Sequence, residues 1–319
     1  MNRSVLLGAI GLVSSSLCAQ VEQTNQMGQM QTRSAADTTG KIWTTGGVAS
    51  LNFSQVQLVN WAGGGLSSVS GIGLFNAFAN RHKNRTYWDN SVALAYGLLA
   101  QEGKRTFKTD DRLELNSKWG YQLKKSLYFS TLFQFRSQFA EGFKTVDDTI
   151  AISKFMAPGY FLLGVGFDYK PSDNFSLFVS PAMARAVVVL DQDLADAGAF
   201  GVEAAVRDTA GKILTAGENV DFQFGGYLNA QYKKELAKNI NFFTRLELFS
   251  NYLREPQNVD VIWETMWTFK VNDWFAANLN TILLYDHDID IARTEDGVAK
   301  VGPTTQFKEA FGLGLTYKF

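Results

Sequence analysis

The sequence predicts an all-β fold: a single antiparallel transmembrane β-barrel of about twelve strands, within about ten to fourteen. Three observations predict it. About twelve segments alternate apolar and polar residues over lengths unusual for a soluble sheet. The connections between them alternate short and long. The chain opens on an export-type leader and closes on an alternating segment that ends in Phe319.

The leader comes first. Met1-Asn2-Arg3 is a short basic start, and Val5 to Val13 is an apolar run too short to span a bilayer. Leu17-Cys18-Ala19-Gln20 follows, with cleavage expected after Ala19, so residues 1–19 read as a signal peptide. Lipid attachment at Cys18 is the alternative, but Leu17 is not the small residue that such processing favours. Cys18 is the single cysteine, so a chain cleaved after Ala19 has no disulfide and no thiolate metal site. Residues 20–41 are polar, Gln-rich and without period, and are expected to be a disordered periplasmic tail. The barrel is assigned to residues 42–319.

Composition narrows the classes. A net charge of -1 argues against a nucleic-acid partner. No later segment is long and apolar enough to be a membrane helix. Twenty-eight Gly against 5 Pro, with 13% aromatic residues, suits long uninterrupted strands.

The period-two segments are expected at 45–57, 70–82, 86–101, 107–123, 126–141, 158–171, 174–190, 219–235, 239–254, 257–271, 274–288 and 305–319. Around 111–122, Leu113, Leu115, Trp119 and Tyr121 share one parity, and Arg112, Glu114, Asn116 and Lys118 share the other. Around 259–271, Val261, Trp263, Trp267 and Phe269 oppose Asp260, Glu264, Thr268 and Lys270. Short turns fall near 83–84, 124–125, 171–174, 236–238 and 272–273. Longer loops cover about 58–69, 142–157, 191–218 and 289–304, and the one at 191–218 is expected to carry a hairpin around Asp208-Thr209-Ala210-Gly211. An even strand count leaves the N-terminal tail and the C-terminus on the periplasmic side.

Aromatics gather by the short turns, as a headgroup girdle would: Tyr87, Trp88, Trp119, Tyr121, Tyr128, Phe129, Phe167, Tyr169, Phe243, Phe269 and Trp274 among them. The final Leu313, Leu315, Tyr317 and Phe319 resemble the C-terminal signal that outer-membrane barrels present to their assembly machinery. Outer-membrane lipid and the barrel-assembly machinery are therefore the expected partners.

The stretches LNFSQVQLVNWAGGG (51–65), LFNAFANRHKNRTYWDNS (74–91), KTDDRLELNSKWGYQ (108–122), APGYFLLGVGFDYKPSDNFSLFVSP (157–181), DQDLADAGAFGV (191–202) and NVDVIWE (258–264) resemble a family of Gram-negative outer-membrane proteins still named as a domain of unknown function. The resemblance covers almost the whole chain after the leader. It implies a signal peptide followed by one barrel, and it implies no activity and no functional residues.

Chemistry must come from the residues themselves. The inward parity carries Arg112, Glu114, Lys118, Arg136, Arg245, Glu247, Glu264 and Lys270. Charges there mean a lumen that is wet or internally paired. One reading is a narrow hydrophilic pore whose charges set selectivity. The other is a plug of salt bridges, such as Glu114 with Arg136 on the next strand. The outer loops are acidic, with Asp147 and Asp148, Asp191, Asp193 and Asp196, and Asp286, Asp288 and Asp290. Such spacing would hold a divalent ion weakly at most, since the EF-hand pattern is absent and solvated loop acids look the same. The short turns are basic, including Arg81, Lys83, Arg85, Lys124, Lys125, Lys170, Lys233, Lys234 and Lys238, and would meet anionic headgroups or water. Gly63-Gly64-Gly65 reads as a loop apex.

His82 and His287, the two histidines, fall at opposite ends of the strands and would not share a metal. No nucleophile partners either one, so a lipid-active enzyme is the weakest reading, and no enzyme activity or cofactor is expected. The leading expectation is passage of small hydrophilic solutes through the barrel. The alternative is a non-conducting surface or scaffold barrel whose outer loops bind a partner.

Overall fold

The structure, a computed structural model, describes residues 42–58, 66–143, 145–272, 275–289, 291–295, 298–315 and 317–318. The leader, the tail, the Gly63-Gly64-Gly65 apex, Trp274 and Phe319 lie outside the described residues.

Five long strands open the fold: β1 (Trp43–Val56), β2 (Ser68–Lys83), β3 (Thr86–Gln101), β4 (Phe107–Lys124) and β5 (Leu127–Ser137). After a long loop come β6 (Gly159–Ser172) and β7 (Phe175–Val188). The next loop carries a short helix, α1 (Gln192–Asp196), a single 3-10 turn at Ala199–Gly201, and the hairpin of β8 (Val206–Arg207) with β9 (Ile213–Thr215). The wall then resumes with β10 (Val220–Ala237), β11 (Ile240–Asn251), β12 (Asp260–Lys270) and β13 (Phe275–Tyr285). A second loop hairpin, β14 (Ile291–Glu295) and β15 (Val298–Gly302), precedes β16 (Gln306–Leu315) and β17 (Tyr317–Lys318).

Every wall strand pairs antiparallel with its neighbour along the chain. The ring also closes. The C-terminal stretch pairs with β13 through β16 and with β1 through β17, where Val48 faces Lys318 and Ala49 faces Tyr317. β16 and β17 are successive segments of one pass, so the thirteen-stranded sheet makes a twelve-pass barrel. The predicted segments coincide with all twelve passes. The expected hairpin in the loop after β7 is present, whereas α1 and the β14–β15 hairpin are new.

Burial is inverted relative to a soluble protein. Outward residues are large and apolar: Leu115, Phe133, Leu163, Phe167, Phe222 and Trp263 are all exposed. Many inward residues are polar, with Glu114, Ser130, Asp168, Gln223, Arg245 and Glu264 all buried beside a smaller set of apolar ones such as Phe178, Met183 and Met266. A bilayer imposes this distribution on a closed sheet, in which strand pairing within the wall satisfies the backbone. Among the described residues no helix is long and apolar enough to cross a membrane; strands make the crossing.

The girdle at the short-turn end includes Trp88, Trp119, Tyr121, Phe129, Phe167, Tyr169 and Phe269, all exposed, with Trp43 and Trp88 rings 6.1 Å apart. Three aromatics expected there turn inward instead. Tyr87, Tyr128 and Phe243 are buried in the lumen because they fall on the inward parity of their strands. Glu309, on the outward parity, pairs with Thr281 near the long-loop end of β16, with no register shift around it.

Candidate functional site in the barrel lumen

The described lumen charges form three groups stacked along the barrel axis. The middle group joins opposite walls. Glu114 of β4 is fully buried, accepts from Arg112 Nε at 3.0 Å, and lies 3.6 Å from Arg136 Nε of β5. Arg136 also reaches Glu247 of β11 at 3.8 Å, and β5 and β11 are not neighbours in the sheet. Glu247 lies 3.3 Å from Arg245, whose Nη2 donates to Glu264 of β12 at 2.8 Å. Hairpin register explains the local pairs, since Glu114 faces Arg136 and Arg245 faces Glu264 across adjacent strands. Arg136–Glu247 is the cross-lumen link. Three arginines and three glutamates make the belt neutral.

The second group lies toward the short turns. Asp168 is fully buried and takes Lys118 at 2.6 Å, Lys170 at 3.3 Å and the Tyr87 hydroxyl at 2.8 Å. The Tyr87 hydroxyl also shares a 2.6 Å hydrogen bond with Ser130, and Lys170 sits 4.4 Å from the Tyr87 ring centre. Gly120 faces Tyr87 across β3 and β4, and a Cβ there would collide with the ring. The glycine therefore lets the ring lie flat across the lumen wall. Lys170 was expected on a headgroup-facing turn. Its side chain is only 5% exposed, because residue 170 still has inward parity in β6 and finds Asp168 and Asp89.

Between these two groups lies a void of about 30 Å³, lined by uncharged polar groups such as Asn116, Gln134 and Gln231 as well as charges of both groups. That is room for one or two water molecules.

The third group lies at the long-loop end. Arg185 of β7 pairs with Asp260 at 2.9 Å, reaches Asp286 at 3.7 Å, and donates to Gln223 at 2.5 Å. Gln223 donates in turn to Asp221 and to Asp288 at 2.7 and 3.1 Å. Asp286 and Asp288 are held above the ordinary carboxylate range, first by burial and then by the charge of Asp260. Below this group and above the belt is a cavity of about 260 Å³, with Leu162, Val187, Phe249 and Ile262 in its walls and Phe200-Gly201 of the 3-10 turn in its lining. A second cavity of about 340 Å³, beside His287 and Arg254, shares Asp260 and Asp288 with it.

The remaining candidates separate from these groups. Lys270 ends β12 at the short-turn end and is exposed, so it lines no part of the belt. Asp191 caps α1 by accepting from Leu194 N and pairs with Lys154 at 2.7 Å, which draws its pKa down. Asp196 accepts from Gln192 and Gly217 N, and Asp193 sits in the first turn of α1. Among the described residues no group of three or more His, Cys, Asp or Glu is placed to hold a metal ion. His82 is by the β2–β3 turn, and His287 contacts Tyr285 at the other end. Leu313 and Leu315 lie in β16 and Tyr317 in β17.

Sequence reasoning put Asp260 on the polar parity of its strand without naming it a lumen charge, and missed Arg185, Asp168 and Asp89. Arg185 had a signal: it is the single charge on β7.

Residues 53–143 match the model of a family described as a protein of unknown function (DUF3078). The expected resemblance to a domain-of-unknown-function family is met over that segment, which runs from the end of β1 past β5 and carries Arg112, Glu114, Lys118 and Arg136. No curated protein matches the chain. Among solved structures, the translocator domain of autotransporter NalP from Neisseria meningitidis is similar at 10% identity and TM-score 0.36, over 98% of this chain and all of that one. The NanC porin aligns at 6% identity and TM-score 0.37, over 85% and 98% of the two chains. A Pseudomonas aeruginosa FadL homologue aligns at 9% identity and TM-score 0.27, over 86% and 89%. The chain's own closed pairing and inverted burial make it an outer-membrane-type barrel.

Proposed function

We propose that this barrel is closed to ions at rest and serves as a facilitator that takes a small solute into a chamber at its outer end. The short-turn end is then periplasmic, and the long loops are outer. The observation that carries the reading is the Arg136–Glu247 link, which ties two non-adjacent strands across the lumen and leaves a chamber above it. A twelve-strand ring is wider than the eight-strand barrels that side chains fill, so in this reading closure depends on groups that bridge the lumen, the charged belt together with the buried Phe178, Met183, Tyr227 and Phe249 beside it. The Tyr87–Asp168–Lys118 network is a second closure in series.

Planar-bilayer recording of the refolded protein tests this. The wild type should give no steady conductance, and neither should Arg136→Ala alone, because the lower closure persists. Arg136→Ala combined with Tyr87→Ala should give discrete steps. Steady steps from the wild type would overturn the proposal. A folded, heat-resistant double variant that stays silent favours the second reading, a scaffold barrel that binds a partner through its outer loops. The helix and two hairpins built into those loops support that alternative.

A further inference from the structure

We propose that the outer chamber binds a small organic cation, a primary ammonium or guanidinium group carried on an apolar body. This inference rests on the closed-chamber reading and names its ligand. The cavity of about 260 Å³ holds the equivalent of roughly eight or nine water molecules, enough for a compact ring with a short tail. Its walls supply the apolar surface, through Leu162, Val187, Phe249 and Ile262.

Its rim supplies the charge. Asp260, Asp286 and Asp288 line it against one guanidinium, Arg185. Arg185 is already committed to Asp260 at 2.9 Å and to Gln223, and lies 4.5 Å from the Phe249 ring centre. It meets Asp286 only at 3.7 Å, so that carboxylate keeps acceptor capacity toward the cavity. The floor adds a fourth carboxylate: Glu247 is 6% exposed and lines the cavity, where its Oε1 meets Arg245 and Arg136 only as longer ion pairs, at 3.3 and 3.8 Å. Counting the groups that line the main cavity, Asp260, Asp286, Asp288 and Glu247 face Arg136 and Arg185, an excess of two negative charges. An anion would enter against that field, and a neutral solute would leave it uncompensated.

Isothermal titration calorimetry on the refolded full chain in micelles tests the class, with phenethylamine, 2-phenylethanol and phenylacetate as probes of matched size. Phenethylamine should bind saturably and at least tenfold more tightly than the other two. Asp286→Asn should weaken it about tenfold, and Asp288→Asn is the second variant if the first fails to fold. Asp147→Asn, which removes a loop acid paired with Lys104 outside the chamber, should leave binding unchanged. Binding of phenylacetate as tight as that of phenethylamine, binding of none of the three, or insensitivity to both chamber variants overturns the inference. Bilayer recording of the same preparation separates the two claims. Silence without phenethylamine binding sinks the cation alone, and steady conductance sinks the closed-lumen reading itself.

Discussion

Arg245 is the belt residue whose loss has the most calculable cost. It is buried, with a side chain 8% exposed, and it holds Glu264 at 2.8 Å and Glu247 at 3.3 Å. At an effective dielectric constant of about 20, those separations correspond to roughly 6 and 5 kcal/mol of gross attraction. Releasing the guanidinium from its desolvated site returns several kcal/mol, so the net cost of breaking the pairs is about 3–5 kcal/mol. Arg245→Met keeps the length of the side chain and removes its charge. It leaves Glu247 and Glu264 buried, with the belt one negative charge in excess. Adding Glu264→Gln restores neutrality and should recover at least half of the loss. Urea unfolding in lipid vesicles, followed by tryptophan fluorescence, reads both variants. With a slope of roughly 2 kcal/mol per molar, the single variant should lower the midpoint by roughly 1.5–2.5 M. The double-mutant cycle then isolates the pair energy. A single variant that costs under about 1 kcal/mol, or a double variant less stable than the single, would refute the argument that these charges are held by one another.

Two other perturbations test the ends of the lumen. At the outer end, Asp286 has its folded pKa raised by burial and by Asp260, which together outweigh Arg185. A raised folded pKa means that this group's stabilising contribution is complete below the ordinary carboxylate range and is lost as pH rises through the raised value. Asp286→Asn should therefore be more resistant to urea than the wild type at pH 7, with the difference vanishing near pH 4; a constant difference across that range would contradict the assignment. At the other end, Gly120→Ala places a Cβ against the Tyr87 ring and should cost about 1–3 kcal/mol by overpacking, read as a lower melting temperature of the folded form on heated electrophoresis. An unchanged melting temperature would mean that the ring is free to move away.

The strands were legible because a membrane barrel writes its topology in period two: the bilayer demands apolar residues on one parity and the lumen tolerates polar ones on the other. The exceptions have local causes. The segment predicted over 126–141 ends at Ser137, because the Asp111 carboxylate accepts from Phe139 N and Ala140 N and takes the place of a ladder partner. Glu114 with Arg136 was legible because hairpin register fixes which residues face each other. Arg136 with Glu247 was not, because the partner across a closed ring depends on strand number, tilt and side-chain reach together. The same reason hid the outer group, where Arg185, Asp260 and Asp286 come from three strands or their ends that sequence order leaves far apart.

What the belt is made of bears on why it exists. If the lumen only needed filling, apolar side chains would serve as well or better, since replacing buried ion pairs with packed hydrophobic residues is often neutral or stabilising by about 1–4 kcal/mol. Charged pairs differ from apolar filler in one respect useful to a facilitator: they can exchange partners with a polar solute or water without leaving apolar surface exposed. A single multiply substituted variant tests this distinction. Replacing Arg112, Arg136 and Arg245 by Met, and Glu114, Glu247 and Glu264 by Leu, converts the belt to a dry plug of similar volume. The substituted barrel should be at least as stable to urea as the wild type. Uptake of radiolabelled phenethylammonium at tracer concentration by protein-loaded vesicles should exceed that of protein-free vesicles for the wild type and not for the dry-plug variant. Equal uptake rates for the two barrels would mean that solute passes elsewhere, and would remove the belt from any gating role.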